Sequence, residues 1–133
     1  MPCWAECLGG CSDKMSREHL VSESLFPEGK VRVEGFPWCR EAPKEIGIAG
    51  LTAKILCERH NNALSPIDTA GAAAFKAFEK TARLAATRER MKPHHWNVVR
   101  DEINGPLFER WLLKTLINIC CDQGLPIGRD SAP

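Results

Sequence analysis

Two separate segments of the sequence each carry a pair of residues of the kinds that bind zinc. The first pair is Cys7 and Cys11, with two glycines between them, and the second pair is Cys57 and His60. A structural zinc ion takes four thiolate or imidazole ligands, and short ligand spacings of this kind are typical. The two pairs supply four ligands, so the sequence predicts one zinc ion that joins the two segments.

The composition of the first pair has alternatives. Cys3 precedes Cys7 at the same spacing as Cys7 precedes Cys11, so Cys3 can replace Cys7, and Cys39 is a further candidate. We favour Cys7 and Cys11 because the glycines between them allow a tight turn. The other interpretation of all these cysteines is that they are small buried apolar residues without metal.

An acidic residue, an imidazole and an amide accompany the two pairs. Glu18 and His19 follow soon after Cys11, and Asn61 directly follows His60. A zinc ion that joins the segments would bring Glu18, His19 and Asn61 close together. Carboxylate and amide oxygens suit Mg²⁺ or Mn²⁺, and an imidazole removes protons near neutral pH. The pattern favours a divalent-metal site with a general base beside the zinc.

This order of residues resembles the HNH, or His-Me finger, endonucleases. It is closest to their zinc-containing branch, which includes the phage Holliday-junction resolvases. The resemblance lies in Cys-x3-Cys, Glu-His and Cys-x2-His-Asn followed by a helix, and it covers roughly residues 3–70. The strings Ser-Arg-Glu-His-Leu-Val-Ser and Leu-Cys-Glu-Arg-His-Asn-Asn-Ala-Leu-Ser resemble bacterial and phage members in particular.

The resemblance implies a role for each matching residue. His19 matches the general base that activates water, while Glu18 and Asn61 match the acidic and amide ligands of a catalytic Mg²⁺ or Mn²⁺. The structural zinc ligands of the family match Cys7, Cys11, Cys57 and His60. The implied activity is metal-dependent hydrolysis of phosphodiester bonds by an endonuclease, with nucleic acid, DNA in the first place, as the partner.

The sequence departs from the family pattern at three points. Glu18 stands where aspartate is commoner, and its longer side chain puts the contact with the metal in question. His60 stands where many relatives have a fourth cysteine, a change that zinc tolerates. The long gap between His19 and Cys57 implies an inserted loop over residues 25–50.

Other polar residues have two interpretations each. Asn62 replaces Asn61 as the amide ligand if the register shifts by one residue. Asp68 is either a third polar group of the site or part of a helix cap, and we favour the cap. His94 and His95 either stack on nucleic-acid bases or belong to an ordinary loop.

The elements that would position these residues are short strands and two helices. Val31 and Val33 alternate with charged residues, which predicts a strand, whereas residues 51–57 suit either a strand or a short helix. Ser65 followed by Pro66 predicts a helix start, and this helix should run to about residue 90.

A second helix is predicted from about Pro106 to Cys121. Its apolar residues recur at helical spacing, which predicts one stripe that packs in the core. The stripe consists of Leu107, Phe108, Trp111, Leu112, Leu116 and Ile119. The expected fold class is therefore α+β: a ββα-metal core with a zinc knuckle over residues 1–90, and a helical C-terminal extension over residues 91–133 packed on it.

Composition sets the broad class of protein. Hydrophobic residues make up 44% and charged residues 26%, which is typical of a soluble globular protein, and we expect a cytoplasmic location. Seven cysteines in a reducing compartment favour metal binding over disulfides. The net charge of +1 says little about the kind of partner. The basic segment from Lys76 to Arg100 suits either phosphate contacts or a solvated helix face.

Two other functions compete with the nuclease. The first is a zinc-stabilised module that binds nucleic acid without cleaving it. The second is a structural protein whose C-terminal helix docks on a partner. The joint presence of Glu18, His19 and Asn61 favours the nuclease, because a module that only binds has no need of all three.

Overall fold

Two short antiparallel sheets and two helices make up the computed structural model, which describes residues 3–36 and 38–121. The predicted α+β class is confirmed. Within the described ranges the strands and helices are β1 (Glu18–His19), β2 (Lys30–Val33), β3 (Lys44–Gly47), β4 (Thr52–Ala53), α1 (Glu58–Glu89) and α2 (Gly105–Cys121). Neither helix has a stretch long and apolar enough to cross a membrane.

The smaller sheet places Glu18 and His19 next to the segment that leads into α1. Strand β1 pairs with β4, with Glu18 opposite Ala53 and His19 opposite Thr52. The backbone N–H of Leu20 continues this ladder by donating to the carbonyl of Leu51 at 2.9 Å. Leu20 and Leu51 are both buried in the main apolar cluster, and their packing there holds β1 and β4 in place.

The segment between these strands, predicted as an inserted loop, folds into a hairpin. Strands β2 and β3 pair in a regular antiparallel register, and the strand predicted around Val31 and Val33 is confirmed. Val33 enters the same buried cluster as Leu20 and Ile48. The hairpin therefore belongs to the core rather than lying loose over it.

Helix α1 begins earlier than its capping signal indicates. The prediction of a start at Ser65 is wrong, since the helix begins at Glu58 with Cys57 at the N-cap. Pro66 lies inside the helix, where it removes the backbone donor that would bond to the carbonyl of Asn62. Tertiary contacts stabilise most helices in proteins, and here they allow α1 to continue through Ser65 and Pro66, residues that are typical of a helix start. The predicted end near residue 90 is confirmed.

Helix α2 packs against α1 through a cluster of aromatic rings. Phe75 of α1 lies against Phe108 and Trp111 of α2 with ring centroids 6.1 Å and 5.3 Å apart. Gly71 of α1 lies directly under the Trp111 ring. Of the predicted extension, residues 122–133 lie outside the described residues.

The buried face of α2 differs from the predicted apolar stripe. Trp111 is buried as predicted, but Leu112 and Leu116 are 48% and 50% exposed. The other residues that α2 buries are Lys114 and Asn118. The predicted stripe differs because α2 buries Lys114 and Asn118 against the polar residues Glu18 and Asp68. The periodicity of apolar residues does not reveal such polar contacts.

Replacement of Gly71 by alanine should destabilise the protein. Alanine normally stabilises a helix interior relative to glycine by about 1 kcal/mol. At Gly71, however, an added Cβ would lie 2.4 Å from Cγ of Trp111, so the ring must shift. We expect Gly71→Ala to lower the free energy of unfolding by about 1–3 kcal/mol, as overpacking does, in a urea titration.

Gly105→Ala provides the matched control for this measurement. Gly105 is the first residue of α2, and an added Cβ there meets nothing within 4 Å. This variant should unfold at the same urea concentration as the wild type or slightly higher. Equal stability of Gly71→Ala and Gly105→Ala would contradict the close packing of α1 on α2.

Candidate metal centre and adjoining cavity

Three thiols and one imidazole converge between the N-terminal segment and the start of α1. Cys3, Cys11, Cys57 and His60 each offer one ligand atom, and all four atoms lie within 4.8 Å of one another. Nδ1 of His60 lies 3.3 Å from Sγ of Cys3, 3.6 Å from Sγ of Cys11 and 3.3 Å from Sγ of Cys57. This group, the metal centre, could hold a zinc ion.

The donor set and its spacing fit tetrahedral zinc. Zinc binds thiolate at about 2.3 Å and imidazole at about 2.0–2.1 Å, so sulfur and nitrogen on a tetrahedron lie about 3.6 Å apart. The three sulfur–nitrogen distances at His60 agree with this separation. With four protein ligands the site would be closed, as structural zinc sites are.

Local structure brings each ligand to this point. Cys57 is the N-cap of α1, so His60 lies one turn further on, on the same side of the helix. Trp4, next to Cys3, donates its backbone N–H to the carbonyl of Ile55 at 3.0 Å. This bond fixes the N-terminal segment beside the residues that precede α1.

The second nitrogen of His60 has a partner that fixes the ring. Nε2 of His60 lies 3.1 Å from the carbonyl oxygen of Gly9, which accepts its proton. Nδ1 is then the unprotonated nitrogen and faces the three thiols. Metal-binding histidines are commonly oriented in this way by a carbonyl or carboxylate on the far nitrogen.

The surroundings of Cys57 favour its thiolate. Burial raises the pKa of the Cys57 thiol, but hydrogen bonds from the backbone of His60 and from Ser12, with one from the Cys3 thiol, bring the pKa down to about 6. At Cys11, burial and hydrogen bonds with Cys3 and Cys57 raise the pKa to about 11. Cys57 is therefore largely ionised at neutral pH, in the form that binds zinc.

The metal centre contains Cys3 in place of the predicted Cys7. Cys7 is exposed, in the short turn between Cys3 and Cys11. Cys39, the other alternative, is buried in the apolar cluster with Val33. The glycines that favoured Cys7 do form tight turns, but they carry Cys11 back toward Cys3 instead. The burial of Cys3 and of its neighbour Ala5 is the feature that the spacing did not reveal.

A polar cavity of about 260 Å³ adjoins the start of α1. Glu18 and His19 line it from β1, and Asn61 lines it from α1. Its complete lining is Arg17, Glu18, His19, Ser22, Glu23, Ser24, Asn61, Asn62, Ser65 and Asp68. The three predicted groups are thus brought together, and Asn62, the alternative amide, borders the same space.

His19 has an acidic neighbour that the sequence patterns did not indicate. Its side chain is 27% exposed, and Nε2 lies 3.8 Å from a carboxylate oxygen of Glu23, four residues later in the chain. Glu23 also lines the cavity.

Glu18 is not a free carboxylate. It is buried, and its Oε1 lies 2.6 Å from the ammonium of Lys114 on α2. The same ammonium lies 2.5 Å from Oδ2 of Asp68 on α1, and the side-chain amide of Asn118 donates to Oε1 of Glu18 at 3.3 Å. We call Glu18, Asp68, Lys114 and Asn118 the buried ion network. The interpretation of Asp68 as a helix cap is wrong, because α1 begins ten residues earlier.

Three basic residues of the segment from Lys76 to Arg100 have partners within the chain. Lys80 pairs with Asp101 at 2.9 Å, and Arg83 pairs with Glu79. The guanidinium of Arg88 lies 5.4 Å from the centroid of the Trp96 ring. His94 and His95 are exposed and lie away from the residues that line the cavity. These exposed ion pairs are weak, so they remain exchangeable for other anions.

Comparison with known proteins assigns no family to the chain. No protein-family model matches it, and no curated protein and no solved structure matches it. The chemistry of the metal centre and of the cavity therefore carries the functional assignment.

Zinc content should separate Cys3 from Cys7. We expect purified wild-type protein to contain one zinc ion per chain, because the four ligand atoms form one group. Cys3→Ser removes a buried ligand and should lose most of the zinc, with a lower melting temperature. Cys7→Ser changes an exposed thiol outside the group and should keep both unchanged. Elemental analysis and thermal unfolding measure the two effects.

The paired cysteine variants make the outcome decisive. If Cys7→Ser loses its zinc while Cys3→Ser retains it, the ligand set is wrong. If neither variant changes the zinc content, Cys3 is not a zinc ligand, and if the wild type contains no zinc, Cys3, Cys11, Cys57 and His60 do not form a zinc site.

Proposed function

We propose that the protein is a metal-dependent endonuclease of the HNH type, which hydrolyses phosphodiester bonds in nucleic acid. The observation that carries the proposal is the shared cavity of His19, Asn61 and Glu18. Asn61 on its wall directly follows His60, which belongs to a group of four ligand atoms suited to zinc. General base, oxygen donors and zinc ligands are the parts that the HNH resemblance implies.

The arrangement of elements supports the same proposal. Strands β1 and β4 form an antiparallel pair, and α1 follows β4 directly. We take these three elements as the ββα-metal core, with the β2–β3 hairpin inserted between its strands. In this core β1 supplies His19 and α1 supplies Asn61, so the zinc ligands and the site residues come from the same two segments.

The residues of the cavity fit a hard divalent ion. Asn61, Asn62 and Ser65 line it with amide and hydroxyl oxygens, and Glu18 adds a carboxylate. Such oxygen donors suit Mg²⁺ or Mn²⁺ better than zinc. When bound, the ion would polarise a non-bridging phosphate oxygen and stabilise negative charge on the leaving oxygen.

His19 acts as the general base in this mechanism. Its imidazole takes a proton from a water molecule as that water attacks phosphorus in line with the leaving oxygen. A carboxylate oxygen of Glu23 lies 3.8 Å from Nε2 of this imidazole, and Glu23 also lines the cavity. Asn61 would hold the divalent ion through its amide oxygen. A zinc ion in the metal centre would contribute stability and position only, because the four protein ligands would leave it no open position.

Nucleic acid is the partner that this chemistry requires. Lys76, Lys80 and Arg83 share one face of α1, at spacings of four and three residues. Cations on one helix face contact backbone phosphates without reading the sequence. Exchange of their internal partners for phosphates would make binding strongly dependent on salt.

A binding module without catalysis is the second candidate, and one observation favours it. One oxygen of the Glu18 carboxylate already pairs with Lys114, so its availability to a catalytic ion is reduced. In that case the protein would bind nucleic acid through α1 and leave the phosphodiester bonds intact.

Replacement of His19 by alanine tests the nuclease directly. With Mg²⁺ or Mn²⁺ present, we expect the zinc-loaded wild type to cleave at least one of duplex, branched or single-stranded substrates. His19→Ala should reduce the rate by about 10²–10⁴-fold, the range for loss of a general base. A gel assay with labelled substrates measures the rates.

His95→Ala is the matched control, since His95 is an exposed histidine that does not line the cavity. It should cleave at the wild-type rate. If wild-type protein binds nucleic acid but cleaves no substrate with either ion, the binding module is correct. If His19→Ala cleaves as fast as wild type, His19 is not the base.

A further inference from the structure

The ammonium of Lys114 is buried almost completely. Its side chain is 3% exposed, although lysine is among the residues least often found inside a protein. A buried charge requires partners, and Lys114 has two carboxylates, Glu18 from β1 and Asp68 from α1. One cation thus joins three separate elements at the wall of the cavity.

The two carboxylates of the network differ in how many of their oxygens have partners. Both oxygens of Asp68 are occupied, since Oδ2 pairs with Lys114 and Oδ1 accepts a hydrogen bond from Ser22 at 2.8 Å. Glu18 uses only Oε1, for Lys114 and Asn118. Its Oε2 has no hydrogen bond within residues 3–36 and 38–121, and Glu18 lines the cavity.

The charges in the network do not cancel. Two carboxylates face one ammonium, so one negative charge remains at the cavity wall. Loss of the ammonium would leave both negative charges there and strengthen the attraction for a divalent ion. Loss of Asp68 would instead leave the ammonium matched to Glu18 alone and weaken that attraction.

We propose that Lys114 is a positioning residue which holds Oε1 of Glu18, leaves Oε2 for the divalent ion and lowers the affinity of the cavity for that ion. The inference rests on the proposed function only in taking the cavity as a divalent-ion site. It also makes α2 a part of that site. Residues 1–90, the predicted metal domain, lack the cation that orients Glu18.

Other polar contacts hold Lys114 in this position. Nε1 of Trp111 donates to the hydroxyl of Ser22 at 2.8 Å, and that hydroxyl donates to Asp68. At the other end of the network, Nε1 of Trp4 donates to Oδ1 of Asn118 at 3.0 Å. The hydrogen bonds therefore run from the aromatic cluster between the helices to the segment that carries Cys3.

Binding of Mn²⁺ to the full-length, zinc-loaded protein tests the inference without reference to cleavage. Lys114→Gln removes the charge but keeps a donor for Glu18. We expect it to bind Mn²⁺ roughly tenfold more tightly than wild type in an electron paramagnetic resonance titration, because an opposing charge is gone. At saturating Mn²⁺ its cleavage rate should nevertheless fall, because the shorter, neutral glutamine amide holds Oε1 of Glu18 less firmly than the ammonium does.

Lys30→Met is the matched control for loss of one positive charge. Lys30 is exposed and pairs with Glu45 at 3.0 Å in the β2–β3 hairpin, away from the cavity lining. This variant should bind Mn²⁺ as the wild type does. Asp68→Asn tests the opposite change, and it should bind Mn²⁺ several-fold more weakly.

Each outcome decides the inference. Unchanged or weaker Mn²⁺ binding by folded Lys114→Gln overturns it, as does an equal increase in Lys30→Met. If Lys114→Gln does not fold, Asp68→Asn decides, and unchanged or tighter binding by that variant overturns the inference. Mn²⁺ binding with the expected changes but no cleavage by wild type would refute the nuclease while leaving the role of Lys114 intact. Absence of Mn²⁺ binding in wild type overturns the inference.

Discussion

The metal centre joins the N-terminal segment to the start of α1, at a point where backbone hydrogen bonds and a small apolar cluster also hold the two together. Cys3 and Cys11 belong to an N-terminal segment of turns, whereas Cys57 and His60 begin the long helix α1. Three thiolates this close together repel one another, so a bound cation would stabilise the ionised form of the group. The buried residues Leu20 and Leu51 place β1 beside the segment that leads into α1, and the metal centre joins the start of α1 to the N-terminal segment.

The apolar core alone is small for a chain of this size. The main buried cluster consists of Leu20, Val33, Cys39, Ile48, Leu51 and Ile55, and the second cluster includes two zinc ligands, Cys3 and Cys57. Structural zinc contributes about 10–16 kcal/mol of apparent binding free energy in small domains, as much as the whole stability of a typical domain. Zinc bound at this group would couple folding of the N-terminal half to the metal. The buried ion network adds specificity of position more than stability, because buried ion pairs seldom repay their desolvation.

Much of the candidate site could be predicted because its residues lie close together in sequence within each segment. The neighbours Glu18 and His19 both line the cavity, while His60 belongs to the metal centre and the next residue, Asn61, lines the cavity. Cys3 could not be separated from Cys7, since both have the same spacing and only tertiary burial distinguishes them. Lys114 and Asn118 were missed because long-range polar contacts leave no periodic pattern. The start of α1 was misplaced because Ser65 and Pro66 form a strong local signal that the fold overrides.

The central claim is that the metal centre sets His19 and Asn61 on one divalent-ion site. Paramagnetic Mn²⁺ tests it most directly, because it broadens the nuclear magnetic resonance signals of groups close to the bound ion. In zinc-loaded protein, substoichiometric Mn²⁺ should broaden the His19 ring and Asn61 amide signals first and leave those of His95 sharp, and this selectivity should vanish when a chelator has removed the zinc. Uniform broadening of the histidines, or the same selectivity in zinc-free protein, would contradict the account.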